Sequence, residues 1–362
     1  MRFFKNKYIR QRSGKKILVA MSGGVDSSVS ALLLKEKGYE VVGATMCLGI
    51  KDNSNKLQCC GIQAIEDAKK VCRHLEIPHY VFDFSKSLED KIINKFVSEY
   101  SNGRTPNPCV DCNRFLKFDI LLNKAITMDF DYLATGHYAK IIKRSGNYYL
   151  SRPRDKVKDQ TYFLYPIKKE LLKFIKFPLG DLIKTKVREI AQKYGLQVAN
   201  KPQSQDLCFA ESDDFADIFR TRIKTIKQGP IINIDGKVLG RHKGICFYTI
   251  GQRKGLGISS SSPIYITEID PVNNGIIVGG REALQSVGLV ADNVNYYLNK
   301  IPRHTSAKIR YNHQAAKCVA VKNNGTINVN FYTAQEAITP GQSVVIYAGD
   351  IVVAGGEIKS TV

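Results

Sequence analysis

Two of the places where this chain carries cysteine are built for chemistry rather than packing. The first is Arg104-Thr105-Pro106-Asn107-Pro108-Cys109-Val110-Asp111-Cys112-Asn113-Arg114. Its prolines and asparagines predict a rigid, non-helical loop that delivers two thiols onto the start of a helix over 115–128. A thiol near a helix N-terminus, with Arg104 and Arg114 beside it, is expected to have a lowered pKa and a usable thiolate. The second is Lys201-Pro202-Gln203-Ser204-Gln205-Asp206-Leu207-Cys208-Phe209, a cysteine in a polar loop far along the chain. Cys47, Cys59, Cys60, Cys72, Cys246 and Cys318 have no such setting and read as packing or incidental residues. Nine cysteines is an odd count, and without an export signal it does not suggest a disulfide framework.

A third constellation handles anions. The apolar run Ile17-Leu18-Val19-Ala20 leads through Met21-Ser22-Gly23-Gly24-Val25-Asp26-Ser27-Ser28 into an amphipathic helix carrying Leu32, Leu33 and Leu34. Two glycines let the backbone approach a ligand closely. The free N–H groups and the dipole of the helix then face negative charge, and Ser22, Ser27 and Ser28 add hydroxyl donors. Asp26 is a poor direct phosphate ligand, so it suits a Mg²⁺ bridge or a loop-shaping role. The Lys-Ser/Thr ending of the Walker loop is missing.

The elements that position these groups follow from periodicity. Strands are predicted at 39–46, 79–84 and 132–135, with helices at 62–75, 88–100 and 115–128. That alternation argues for a parallel sheet flanked by helices. Ligands sit at the carboxyl ends of such strands, so Ser22–Ser28 and Gly136-His137-Tyr138 are expected to share one pocket. After about Arg220 short β-rich runs take over, at 231–234, 244–249, 264–269 and 275–278. From about Ala283 the runs at 307–311, 318–322, 326–331, 343–348 and 351–358 suggest a small β-barrel. The predicted organisation is a basic arm over 1–14, a catalytic α/β domain over 15–220, a small central β-rich domain over 221–282 and a barrel over 283–362.

Composition narrows the partners. The formal net charge is +21, which points to a polyanion. Residues 140–193 hold fifteen Lys/Arg against five Asp/Glu, and residues 293–335 hold six Lys/Arg and no acid. Two separate basic stretches suit a long nucleic acid better than a small ligand. No apolar run approaches the roughly 20 residues that span a bilayer, and a cytoplasmic location is expected. The first sixteen residues carry seven Lys/Arg and no acid; they read as a basic arm more readily than as a transit segment.

Ser22–Ser28 resembles the pyrophosphate (PP) loop of the ATP-pyrophosphatase superfamily. Taken with Thr105-Pro106-Asn107-Pro108, Cys112-Asn113, Ala134-Thr135-Gly136-His137-Tyr138 and Lys158-Asp159-Gln160-Thr161-Tyr162, the likeness becomes specific. Gln205-Asp206-Leu207-Cys208-Phe209, Tyr248–Gly257 and Pro340-Gly341-Gln342-Ser343 extend it. Together they resemble the bacterial-type tRNA-specific 2-thiouridylases over nearly the whole chain. The resemblance implies an adenine nucleotide α-hydrolase-like, PP-loop ATPase fold for the first domain and tRNA binding by the barrel. It implies that the C2 oxygen of the wobble uridine is adenylated and then replaced by sulfur. Ala20, Met21, Ser22, Gly23, Gly24, Val25, Asp26, Ser27, Met46 and Gly136 would bind ATP with Mg²⁺. Cys112 would be the nucleophile and Cys208 the persulfide carrier, the two closing a disulfide after delivery. Asn107, Pro108 and Cys109 would lie beside the target base. His137, Lys158, Asp159, Gln160, Arg310, Tyr311 and Gln342 would touch tRNA, and a sulfur-donor protein is implied.

One departure matters. Some members of that family carry Asp where this chain has Cys109, leaving Asp111 as a possible acid or base. The extra thiol also opens an iron–sulfur alternative, with Cys109, Cys112 and Cys208 as cluster ligands. No resident metal is otherwise indicated. A further rival is another PP-loop enzyme that ligates a small substrate.

Overall fold

The computed structural model describes residues 14–49, 62–202, 209 and 216–362. Most of the N-terminal arm, Cys59, Cys60 and Cys208 lie outside the described residues. Strands β1 (Lys16–Ala20), β2 (Glu40–Cys47), β3 (His79–Asp83) and β4 (Tyr132–Ala134) come first; after a hairpin of β5 (Lys140–Arg144) and β6 (Asn147–Ser151) follows β7 (Ile175–Lys176). The parallel sheet has the order β3-β2-β1-β4-β7. Residues of β1 alternate between its two faces. Leu18 packs with Val42, Ala44 and Leu133 on one side, while Ile17 and Val19 pack with Val41 and Val29 on the other. Both faces are covered, which is why these strands read as continuous apolar runs. Strand order reverses between β1 and β4, the switch point at which doubly wound sheets open a ligand crevice.

The cysteine segment differs from the expectation. It is helical from Pro108, not a loop leading to a helix at 115. Asn107 caps it by accepting from the Val110 N–H (3.3 Å), and Pro108 occupies the first turn, where its missing N–H costs nothing. Pro108–Asp111 is α-helical, Cys112–Leu121 has wider π-type turns, and Leu122–Thr127 returns to α. Both thiols therefore sit within the first turns of one helix.

The central domain is a four-stranded sheet of β8 (Gly229–Asn233), β9 (Val238–His242), β10 (Tyr265–Asp270) and β11 (Gly275–Gly279). The strand expected at 244–249 is instead a 3₁₀ turn, Ile245–Phe247. It follows Gly244, whose φ of 140° breaks an extended run. The barrel comprises β12 (Gln285–Tyr296), β13 (Thr305–Lys308), β14 (Ala316–Asn323), β15 (Thr326–Glu336), β16 (Ser343–Ala348) and β17 (Ile351–Thr361). Pairing runs β12-β15-β14-β13-β16-β17, and β12 pairs again with β17 to close it. Closure removes both sheet edges.

The hairpin β5–β6 leaves the α/β segment and extends the barrel sheet. Ser151 pairs with Ile351, and the Arg152 N–H donates to the Asp350 carbonyl (2.8 Å). Tyr162 donates to the Ser343 carbonyl (3.0 Å) and Tyr297 to the Ile167 carbonyl (2.7 Å). Leu18, Leu133, Tyr162, Val345 and Tyr347 share one core, so the barrel and the parallel sheet are packed together. Among the described residues, no helix is long and apolar enough to cross a membrane.

Candidate active site

The loop after β1 is shaped by its own hydroxyls. Ser27 Oγ accepts from the Ser22 N–H (3.2 Å) and donates to the Gly24 carbonyl (3.1 Å), which also takes the Ser28 hydroxyl (2.9 Å). Met21 is tied to β2 through the Ala44 carbonyl (2.8 Å) and Thr45 Oγ1 (3.0 Å). Gly23 has a φ of 69°, and a Cβ there would stand 2.4 Å from the Ala64 carbonyl oxygen. Only glycine fits. Gly24 precedes helix Val25–Glu36, whose first turn carries Asp26 and no side-chain cap. Its leading N–H groups are thus available to an anion. Met46, half-buried on β2, packs with Ala20 against the core below the loop.

The second strand end reaches the same place. A Cβ on Gly136 would lie 2.7 Å from the Ser27 nitrogen and 2.8 Å from the Asp26 carbonyl carbon, so the turn after β4 touches the helix N-terminus. Tyr138 donates from its hydroxyl to Asp26 Oδ1 (2.8 Å), and Lys184 Nζ lies 2.6 and 2.7 Å from the two Asp26 oxygens. Asp26 is therefore held by a cation and a phenol, the loop-shaping role. Among the described residues no group of three or more His, Cys, Asp or Glu could hold a metal ion. Gln160 Oε1 accepts from the Tyr138 N–H (2.8 Å) and fixes the turn. His137 shares a hydrogen bond with Thr135 (2.7 Å) and packs 6.1 Å from the rings of Phe118 and Phe177. Burial, then the charge of Lys117, holds its imidazole neutral, well below the usual histidine range.

Lys117 joins His137 to the thiols, because its charge acts on His137, Cys112 and Cys109 alike. Through Gly136 and the packing of His137 on Phe118, the helix bearing Cys112 adjoins the turn that touches the anion loop. The thiol itself differs from the expectation. Burial raises the pKa of half-buried Cys112, and Lys117 and Asp111 act in opposite senses on it. The two arginines that were to acidify it are engaged elsewhere: Arg104 Nε donates to Glu99 (2.6 Å) and Arg114 Nη1 to Glu357 (3.4 Å). Asp111 is 3% exposed, and its Oδ1 accepts from Lys95 (3.0 Å). It is thus committed to an ion pair rather than free as an acid or base. Cys109 is exposed at the rim beside Asn107 and buried Pro108.

The basic stretches supply fewer free groups than their charge suggests. Asp159 is 5% exposed, accepts from the Thr161 N–H (2.9 Å) and hydroxyl (2.6 Å), and faces Arg152 Nε at 3.4 Å. Its neighbour Lys158 is half-buried. Gln342 donates to the Thr105 carbonyl (2.9 Å) and so braces the cysteine segment. Arg310 Nη2 donates to the Glu336 carbonyl, and Tyr311 packs on Phe163 with ring centroids 4.4 Å apart. Lys117, Lys184 and Tyr138 are the residues that motif reasoning missed. Tyr138 ends a noted motif, whereas Lys184 lies in a lysine-rich stretch where no spacing distinguishes it.

Three family models cover the chain in order. They are described as tRNA methyl transferase HUP domain (15–212), tRNA methyl transferase PRC-barrel domain (218–280) and Aminomethyltransferase beta-barrel domain (286–358). The chain is 52% identical over 345 residues to tRNA-specific 2-thiouridylase MnmA 1 of Syntrophus aciditrophicus (strain SB), spanning 95% of this chain and 93% of that protein. It is 46% identical over 356 residues to tRNA-specific 2-thiouridylase MnmA of Clostridium botulinum (strain Alaska E43 / Type E3), spanning 96% and 99%. A solved complex of a 4-thiouridine synthetase with RNA and bound ATP aligns over 54% of this chain and 45% of its own, with 17% identity and a TM-score of 0.37. The chain belongs to the tRNA-specific 2-thiouridylase family.

Proposed function

We propose that this protein is an ATP-dependent tRNA 2-thiouridylase, a sulfurtransferase acting on the wobble uridine. ATP lies in the cradle of Ala20–Ser27, flanked by Met46 and Gly136, with its phosphates at the N-terminus of helix Val25–Glu36. Mg²⁺ arriving with the nucleotide would offset phosphate charge, while Asp26, held by Lys184 and Tyr138, shapes the loop. The wobble base leaves its stack and rests against Asn107, Pro108 and Cys109. Its C2 oxygen attacks the α-phosphate, forming a C2–O–AMP ester and expelling pyrophosphate. Cys208 carries the incoming sulfur as a persulfide. Cys112 attacks the inner sulfur, the S–S bond breaks, and hydrosulfide is released as the Cys112–Cys208 disulfide forms. Hydrosulfide displaces AMP at C2 to give 2-thiouridine. An external reductant resets the disulfide, and a persulfide-bearing donor protein reloads Cys208.

The contact of Gly136 with the first helical turn, and the packing of His137 on Phe118 of the cysteine helix, carry this reading. They bring the helix that carries Cys112 up to the turn bordering the anion cradle, which supports the pairing that adenylation followed by thiolation requires. Methyl transfer, the term in the family-model descriptions, uses neither. Residues 15–220 form the catalytic domain, 221–282 the central domain and 283–362 the barrel that engages tRNA with His137, Lys158, Arg310 and Tyr311. Asp159, Gln160 and Gln342 serve there by bracing neighbouring backbone. Free thiols at the site suit a reducing, cytoplasmic location.

The test is 2-thiouridine content of tRNA together with AMP release, in Cys112→Ser and Cys208→Ser. Both variants should form AMP and make no 2-thiouridine; unchanged thiolation in Cys208→Ser removes the persulfide role. A small-substrate ligase would release pyrophosphate without stimulation by tRNA. The iron–sulfur alternative draws on Cys109 and Cys112 standing in adjoining turns of one helix. Stoichiometric iron and sulfide in anaerobically purified protein would favour it over the persulfide.

A further inference from the structure

The cysteine segment is held by the barrel as much as by its own domain. The Thr105 N–H donates to the Pro340 carbonyl (2.9 Å), and Gln342 donates back to the Thr105 carbonyl (2.9 Å). Gly341 packs so closely that a Cβ would stand 2.8 Å from the Thr105 nitrogen. The tightest tie is electrostatic. Lys95 Nζ lies 3.0 Å from Asp111 Oδ1 and 2.9 Å from Glu357 Oε1, which Arg114 also reaches at 3.4 Å. Asp111 and Glu357 are 3% and 7% exposed. Two carboxylates and two cations from three elements thus form a neutral, largely buried cluster. They come from helix Asn94–Ser101, the cysteine helix and the last barrel strand, and Asp111 directly precedes Cys112.

We propose that Lys95 and Glu357 are positioning residues for the thiol chemistry at Cys112, so that the barrel, through Glu357, is a working part of the catalytic centre. The proposal rests on the thiouridylase reading of the site. Breaking a buried pair leaves an uncompensated charge, which the surroundings relieve by moving. Here the helix turn that carries Asp111 and Cys112 loses its charged tie to the barrel. Displacing a reacting thiol by about 1 Å costs on the order of 100-fold in rate. The cluster also sets the field at the thiol. Lys117 and Asp111 act on Cys112 in opposite senses, and Lys95, Glu357 and Arg114 are joined to it through Asp111. With the cluster neutral, Lys117 is left as the cation acting on Cys112.

The two partners predict opposite electrostatic effects. Glu357→Gln leaves Lys95 and Arg114 against Asp111 alone, a net positive charge that favours the thiolate. Lys95→Met leaves Asp111 and Glu357 against Arg114 alone, a net negative charge that disfavours it. The experiment measures the pH dependence of Cys112 alkylation by iodoacetamide, resolved from Cys109 by fragment mass spectrometry, alongside steady-state thiolation of tRNA. In Glu357→Gln the alkylation midpoint should fall; in Lys95→Met it should rise. In both, kcat for thiolation should drop on the order of 100-fold, with KM for tRNA little changed. Lys95→Arg, which keeps the charge, should retain the unsubstituted midpoint. A merely loosened structure exposes the thiol and lowers both midpoints, so shifts of the same sign, or none, overturn the proposal. Full thiolation in both variants overturns it as well. If the unsubstituted protein makes no 2-thiouridine, the functional reading fails, while the alkylation midpoints still decide the cluster.

Discussion

Gly136→Ala tests whether the turn after β4 and the anion loop work as one site. The added methyl would meet the Ser27 nitrogen at 2.7 Å and the Asp26 carbonyl carbon at 2.8 Å. Ordinary van der Waals contact begins at 3.4 Å, so about 0.7 Å must open between backbone atoms that cannot rotate away. Overpacking of this kind costs about 1–3 kcal/mol, a loss of a few degrees in Tm. The functional effect should be larger. The atoms displaced are the N–H-bearing first turn of helix Val25–Glu36, and misplacing a bound reactant by about 1 Å costs on the order of 100-fold. The shortfall of 0.7 Å therefore predicts a fall of about 10-fold to 100-fold in tRNA-dependent AMP formation, while tRNA binding is retained. The assay is AMP and pyrophosphate release at saturating tRNA with ATP varied, beside a melting curve. Normal AMP kinetics in a folded Gly136→Ala protein would refute the shared pocket.

Other outcomes follow from the same geometry. Lys184→Met strips the cation from Asp26, whose side chain is 23% exposed against 12% for Lys184. The stability loss should be on the order of 2 kcal/mol, between the exposed and buried limits for ion pairs. KM for ATP should rise, because a bare carboxylate then faces the phosphates; Asp26→Asn in the same chain should recover part of it, and failure to do so would discount the charge argument. Because burial raises the Cys112 pKa, the neutral thiol is favoured. Its alkylation rate should still be climbing at pH 9.0, the ordinary thiol value; a plateau near neutrality would contradict this. His137 is depressed well below its ordinary 6.5. The unfolded chain therefore binds the extra proton first, and stability is full above 6.5 and declines as pH falls below it. Denaturant midpoints between neutral and mildly acidic pH should decline less steeply in His137→Asn, and an unaltered slope would exclude His137 as the source.

What could be read along the chain was read where the signal is local. Residues 17–20 are apolar on both faces because both faces of β1 are covered, and the Gly23-Gly24 step marks the helix start. β16 begins and ends at the predicted residues. Where sequence and structure part, the reasons are identifiable. Asn107-Pro108 is a helix cap as readily as a turn, and cap geometry won. The hairpin β5–β6 turns at Ser145-Gly146, with φ of 46° and 77°, but its alternation is hidden among lysines. Arg104 and Arg114 read as thiol-activating cations, but Glu99, five residues back, takes the first, and Glu357, 243 residues away and invisible to sequence proximity, takes the second.

By itself the sequence determined that a nucleotide-type anion loop, a two-thiol segment and a β-barrel follow one another in a basic chain. Motif chemistry of that kind depends on residues within a few positions of each other, and backbone propensity records it. Tertiary structure alone decided which charges remain available at the site. Lys184 closes on Asp26, Lys95 lies between Asp111 and Glu357, and burial rather than arginine governs Cys112. Electrostatics acts through space and falls with distance and dielectric, neither of which is written in the order of residues.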